Sequence, residues 1–226
     1  MDSVEFCGET LPLSETTPFR VGREGDLALD DNPYLHRNFL TLDRRHGLWW
    51  LTNIGSRISA TVSDPDGRLQ AWVAPGAAIP LVVERTLVRF TAGPTTYEFE
   101  VVLGDPQFTP AVSPIPTAEG TMTIGNVEFT PDQLLMIIAL AEPSLRREGW
   151  GQIVLPTSEE AAKRLGWPLT RFNRKIDNVC DKLAKLGVKG LHGGPDKLAG
   201  GRRARLVEYA LAARWVTAEH LALLDR

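Results

Sequence analysis

Phe19-Arg20-Val21-Gly22-Arg23 and, farther on, Trp49-Trp50-Leu51-Thr52-Asn53-Ile54-Gly55-Ser56 belong to a stretch built of short alternating apolar runs. Further runs fall at 40–43, 48–52, 60–62, 69–73, 79–83, 87–91 and 97–102. Turn signals separate them: Arg45-His46-Gly47, Asp64-Pro65-Asp66-Gly67, Pro75-Gly76 and Gly93-Pro94. Alternation sends successive side chains to opposite faces of a sheet. Short strands punctuated this regularly predict an all-β sandwich or barrel. No helical period runs through the stretch. Of Trp49 and Trp50, neighbours on one strand, one is expected in the core and the other at the surface.

Around this stretch the composition is ordinary. The chain has 226 residues, 43% hydrophobic and 23% charged, enough for one large or two small domains. It has no apolar run of the ~18 residues a membrane span needs. Its start, Met1-Asp2-Ser3-Val4-Glu5, lacks the basic-then-apolar layout of a signal peptide. Cys7 and Cys180 stand far apart without metal-ligand spacing, and isolated thiols with no export signal point to the cytoplasm. No metal or cofactor is expected. Charge is uneven: residues 1–105 carry 9 Lys/Arg against 15 Asp/Glu, whereas residues 163–205 carry 12 against 3. Such a split predicts two units with different partners, the basic one facing a polyanion.

Four prolines within 104–119 predict an extended linker between a domain at 1–103 and another at 120–226. Thr109-Pro110 and Ser113-Pro114 in it are candidate phosphorylation sites, a plain spacer being the simpler reading. Residues 122–129 read as a hairpin turning at Gly125-Asn126. Thr130-Pro131-Asp132-Gln133 is a capping box opening a helix that Pro143 is expected to stop. Thr157-Ser158-Glu159-Glu160 opens a second, over 158–165. The longest helix is predicted over 170–186. Phe172, Ile176, Val179, Leu183 and Leu186 form its buried stripe and Cys180 falls near it; Arg171, Arg174, Lys175, Asn178, Lys182 and Lys185 form a basic one. Residues 188–192 and 205–210 are expected to pair as strands of a wing. Thr217 is expected to start a last short helix.

The layout of 121–226 resembles a winged helix-turn-helix domain, and its Gly125-to-Pro131 opening resembles that of response-regulator DNA-binding domains. The resemblance implies an α+β unit whose second helix enters the DNA major groove. Arg171, Asn173, Arg174 and Asn178 are then candidates for base edges, and Lys175 shares that face. Lys182 and Lys185 would touch phosphates; Arg202, Arg203 and Arg205 would reach backbone or minor groove. The competing reading is a solvated basic face on a protein-binding winged helix.

The signals Gly22-Arg23, His36-Arg37 and Asn53-Ile54-Gly55-Ser56 resemble the forkhead-associated (FHA) domain, a β-sandwich family that binds phosphothreonine peptides. Arg23 matches the family arginine that contacts phosphate or supports its loop. Where the family has a phosphate-binding serine this chain has His36, followed by Arg37. Phe39 stands near the family histidine, Ile58 replaces the asparagine that holds the peptide backbone, and Ser59 replaces the following glycine. Arg23, His36, Arg37, Ser56 and Arg57 remain as candidate phosphate donors, since arginine suits bidentate phosphate recognition. Protonation of His36 would favour phosphate binding below neutral pH. The alternatives are a phosphate-independent protein contact and a pure scaffold.

No nucleotide loop, metal cluster or nucleophile elbow is present in the sequence, and no enzyme is expected. The leading expectation is a bacterial cytoplasmic regulator, similar to actinobacterial FHA proteins, binding a protein partner, phosphorylated or not, with one domain and double-stranded DNA with the other. The alternative is a signalling adaptor that binds proteins with both.

Overall fold

The computed structural model describes residues 1–106, 108, 127–147, 149–188, 191 and 199–225. Eleven strands precede the first helix: β1 Ser3–Phe6, β2 Glu9–Pro12, β3 Phe19–Gly22, β4 Leu27–Ala28, β5 Leu40–Arg45, β6 Leu48–Asn53, β7 Ala60–Ser63, β8 Gln70–Val73, β9 Ala78–Leu81, β10 Arg85–Ala92 and β11 Thr95–Val102. They form two sheets, β2-β1-β11-β10-β7-β8 and β4-β3-β5-β6-β9. Pairing is antiparallel except between β3 and β4. The expected sandwich is therefore present. Phe39, Leu42, Leu51, Val62, Phe90, Tyr97 and Phe99 fill its core, with Phe39 and Phe90 at 4.6 Å between ring centroids. Trp49 is buried and Trp50 half-buried, as strand alternation requires.

The strands β1 and β2 are an addition to the sequence reading, which began at Phe19. Each has only four residues, too few to establish an alternation. Cys7 (φ 50°) and Gly8 (φ 81°) close their hairpin. His46 (φ 50°) and Gly47 (φ 81°) do the same for β5 and β6. Positive φ at both central residues matches the twist of the flanking strands.

The helical region comprises α1 Pro131–Arg146, α2 Ser158–Arg164, α3 Leu169–Lys185, α4 Ala199–Ala212 and a 3₁₀ turn at Ala218–Leu223. Both capping boxes form: Thr130 with Gln133, and Thr157 with Glu160. Of the expected stripe, Phe172, Ile176, Val179 and Leu183 are buried in the helical core with Cys180, whereas Leu186, at the helix C-cap, is 55% exposed. Burial drives the Cys180 thiol pKa up to about 11. No helix of the described residues is long and apolar enough to cross a membrane.

Other expectations are corrected as well. Pro143 does not stop α1, which continues to Arg146. Only one turn follows the proline; Leu145 packs on the helical core there, and Arg146 pairs with Glu142 at 2.8 Å. Residues 205–210, expected as a wing strand, lie inside α4. Leu206, Val207 and Ala210 recur at helical spacing and enter the helical core, while Arg205 and Glu208 face the other way. The expected strand at 122–124 with its Gly125-Asn126 turn, Thr109-Pro110, Ser113-Pro114 and His192 lie outside the described residues, as does most of the wing connection, and the hairpin's other expected strand, 127–129, forms no strand.

Helical region and sandwich share a sheet. A short strand after α1, β12 Gln152–Val154, pairs antiparallel with Thr95–Tyr97 of β11. The chain just before it also bonds the sandwich: Cys7 N–H donates to Trp150 O at 2.9 Å and Glu98 N–H to Gly151 O at 2.8 Å. Helix α4 packs over β7 and β10. Each half nonetheless has its own apolar core.

Candidate recognition cleft and basic helix face

Two loops of the sandwich and helix α4 enclose a cleft of about 610 Å³, a size typical of ligand sites. Tyr34 and His36 line it from the loop before β5; Ser56 and Arg57 line it from the loop after β6. Trp72 and Thr91 come from the sheet, and Gly201, Arg205 and Glu208 from α4.

Buried asparagines shape both loops. Asn53 donates to Ile58 O at 2.9 Å and Val73 O at 3.0 Å, and accepts from Gly55 N–H at 3.0 Å. Its side chain thereby replaces a strand partner for the 54–58 loop, a local bonding habit of asparagine. Asn32 donates to Ala92 O and to the Tyr97 hydroxyl, each at 2.9 Å, and accepts from Tyr34 N–H at 3.0 Å. A side chain on Gly55 would meet the Phe39 ring at 2.9 Å. On Gly22 it would meet Arg37 O at 2.1 Å, so these glycines permit close backbone approach.

Of the sequence-predicted phosphate residues, the structure brings His36, Ser56 and Arg57 together. Ser56 N–H donates to His36 Nε2 at 3.1 Å, and the Ser56 hydroxyl lies 3.1 Å from the same nitrogen. Nε2 is thus an acceptor, which puts the ring proton on Nδ1. That nitrogen is buried with no hydrogen-bond partner among the described residues. Burial first, and the nearby Arg57 cation second, lower the His36 pKa from its ordinary value. Both factors oppose the imidazolium that the sequence reading looked to for binding below neutral pH. Arg23 and Arg37 are not brought into the cleft lining. Their backbones run side by side, Arg23 N–H donating to His36 O at 3.0 Å, and the exposed Arg37 side chain pairs with Glu24 at 3.5 Å.

The basic candidates of the helical region divide into three groups. Asn173, Arg174 and Asn178 are exposed on α3. Arg171 and Lys175 of the basic stripe both pair with Asp132 of α1 at 3.0 Å. Those two cations hold the Asp132 carboxyl below its ordinary pKa. Arg171 also lies 4.1 Å over the Trp167 ring. Lys182 donates to Glu128 O and lies over Phe129, and Arg202 pairs with Asp177 at 2.7 Å. Arg203, half-buried, donates to Ser158 at 3.2 Å. Arg205 is buried: it donates to Thr61 of β7, lies 3.3 Å from Glu208, and stacks 5.0 Å over Trp72. The position expected on a DNA-facing wing is therefore part of the seam with the sandwich.

Sequence reasoning missed Tyr34, Trp72, Thr91 and Glu208 in the cleft and Glu98 in the seam. No local signal marks them, because elements far apart in the chain bring them together. Glu98 is buried on the outer face of β11 between Arg89 and Arg147. The alternating polar residues of β11 and β10 read as a wet face, and a single strand pattern does not reveal what covers it.

No family model matches this chain, and no curated protein matches it.

Proposed function

We propose that this chain is a cytoplasmic two-part binding protein. Its β-sandwich is an FHA-like module that takes a protein partner at the cleft of His36, Ser56 and Arg57. Its α2–α3 pair is the helix-turn-helix of a winged-helix-type unit that binds double-stranded DNA. One observation carries the DNA reading: the seam with the sandwich uses α4 and β12, leaving Asn173, Arg174 and Asn178 exposed on α3. Amide and guanidinium side chains on one helix face suit base edges in a major groove. In the sandwich, Arg57 and the Ser56 hydroxyl supply the donors for an anionic side chain.

Salt titration of binding to mixed-sequence duplex DNA tests the first half. A fall of log K with log salt, with weaker binding by Arg174→Ala, supports it. Absence of binding at low salt rejects it. A second reading, in which both units bind proteins, draws support from the pairing of Arg171 and Lys175 with Asp132 and the burial of Arg205. It predicts partner capture unaffected by Arg174→Ala.

A further inference from the structure

We infer that α4 is the second wall of the recognition cleft, so that an anionic peptide bound by the sandwich loops is also read by the helical unit. This rests on the reading of the sandwich as a protein-binding module and extends it to a residue of α4, Gly201, whose substitution blocks binding.

The wall is fixed in place. Glu208 accepts from Thr91 Oγ1 at 2.6 Å, Arg205 donates to Thr61, and Arg214 donates to Pro65 O at 3.0 Å. Together with the β12–β11 ladder these bonds hold α4 at one distance from the loops, so the cleft is formed before a ligand arrives. The Glu208 carboxylate does not repel an anion there, because Thr91 and Arg205 engage it and it is buried. Arg57 is exposed, which leaves the cleft cationic on the loop side. Apolar surface lies beside it: Tyr34 is 55% exposed and Trp72 37% exposed. The occupant that matches is an extended peptide with an anionic side chain next to an apolar one, the anion at Arg57 and Ser56 and the apolar group against the aromatic rings. Gly201 is where α4 leaves room. It is exposed on the cleft side, and a Cβ built there meets nothing within 4 Å.

The test uses the full chain on peptide arrays randomised around a central phosphothreonine, with parallel arrays carrying glutamate or threonine at that position. Wild type binds phosphothreonine or glutamate peptides with an apolar neighbour preferred; the two arrays separate phosphate from carboxylate as the source of the anion. Gly201→Leu weakens this at least about tenfold by filling the cleft. Gly201→Ala, a single methyl in a helix, binds about as wild type does. If leucine lowers the melting temperature, Gly201→Gln repeats the test with a soluble side chain of similar length. Wild-type affinity in both Gly201→Leu and Gly201→Gln, with loss in Arg57→Ala, overturns the α4 wall and leaves the protein-binding sandwich standing. Equal binding of the threonine array overturns the anion. No binding by wild type on any array overturns both the wall and the sandwich reading.

Discussion

Thr91 of the sandwich donates a 2.6 Å hydrogen bond to Glu208 of α4, a residue 117 positions later in the chain. The carboxylate also lies within 3.4 Å of Thr61 Oγ1 and 3.3 Å of Arg205 Nη1. Thr61 and Thr91 sit on the face of β7 and β10 turned away from the sandwich core, where solvent would usually stand. Helix α4 covers that face with a polar contact, a seam whose stability depends on each group keeping its partner.

Removing one member takes a bond from each of the buried groups around it. Glu208→Ala is expected to cost about 3 kcal/mol, because the buried Arg205 guanidinium then loses its carboxylate neighbour. The urea midpoint reads this, with an unchanged slope showing that unfolding is still cooperative. Glu208→Gln separates charge from hydrogen bonding. Burial raises the Glu208 pKa, against the opposing pull of Arg205, the Thr91 hydrogen bond and Arg89. The folded state therefore holds a proton that the unfolded chain has already lost. Stability from this group is greatest at low pH and declines as pH rises from the ordinary glutamate value through the raised one. Wild type is expected to gain on Glu208→Gln as pH falls across that window, measured as the difference between their urea midpoints.

Asp132 acts on the other face of the helical unit. It holds both Arg171 and Lys175, so two of the cations nearest the proposed DNA face are engaged in the free protein. Asp132→Asn releases them. Duplex DNA binding is expected to tighten, and the slope of log K against log salt to steepen by up to about 0.9 per freed cation. Fluorescence anisotropy across a salt series reports both. An unchanged slope would mean that neither side chain meets phosphate.

These two sites differ in how far the sequence announced them. The sandwich was legible because turns such as His46-Gly47 and Gly93-Pro94 fall between alternating runs, both local features. The helix starts at Thr130 and Thr157 were legible for the same reason: a capping box is complete within four residues. Arg205 was not. Its neighbours Leu206, Val207 and Ala210 fit a helix face, but the preceding Gly-rich basic run suggested a wing, and nothing local shows that Thr61 and Trp72 await it. In the cleft, His36, Ser56 and Arg57 were found from the loop signals, while Tyr34, Trp72 and Glu208 depend on which elements pack together. Long-range juxtaposition, which propensity does not encode, accounts for both misses.

Asn53 offers a test of loop shape. Its amide group makes two bonds to carbonyls and takes one from Gly55, all across the turn that carries Ser56 and Arg57. Asn53→Ala strands Ile58 O, Val73 O and Gly55 N–H without that partner. The expected loss is about 2–3 kcal/mol of folding stability. Amide exchange within residues 54–58 is expected to rise more than in β10, because the loop loses its internal anchor while the core strands keep theirs. Equal change in both would show that the asparagine supports the sandwich as a whole.

His36 gives the cleft a pH dependence opposite in sign to a simple cation site. Nε2 accepts the Ser56 N–H, and burial together with Arg57 lowers the pKa from the ordinary 6.5. The unfolded chain therefore takes up a proton before the folded one does. The stability contributed by neutral His36 is fully present above 6.5 and is lost as pH falls through 6.5 toward the lowered folded value. Below that value the imidazolium has no lone pair for Ser56, and the 54–58 loop loses its tie to the 33–36 loop. Titration of the His36 ring by NMR is expected to show a midpoint below 6.5, with the Ser56 amide shift moving in step. Affinity for an anionic peptide is expected to fall over the same interval, because the loop geometry that presents Ser56 and Arg57 is lost as the proton arrives. An affinity that instead rises on acidification would make His36 a direct phosphate donor and reverse this assignment.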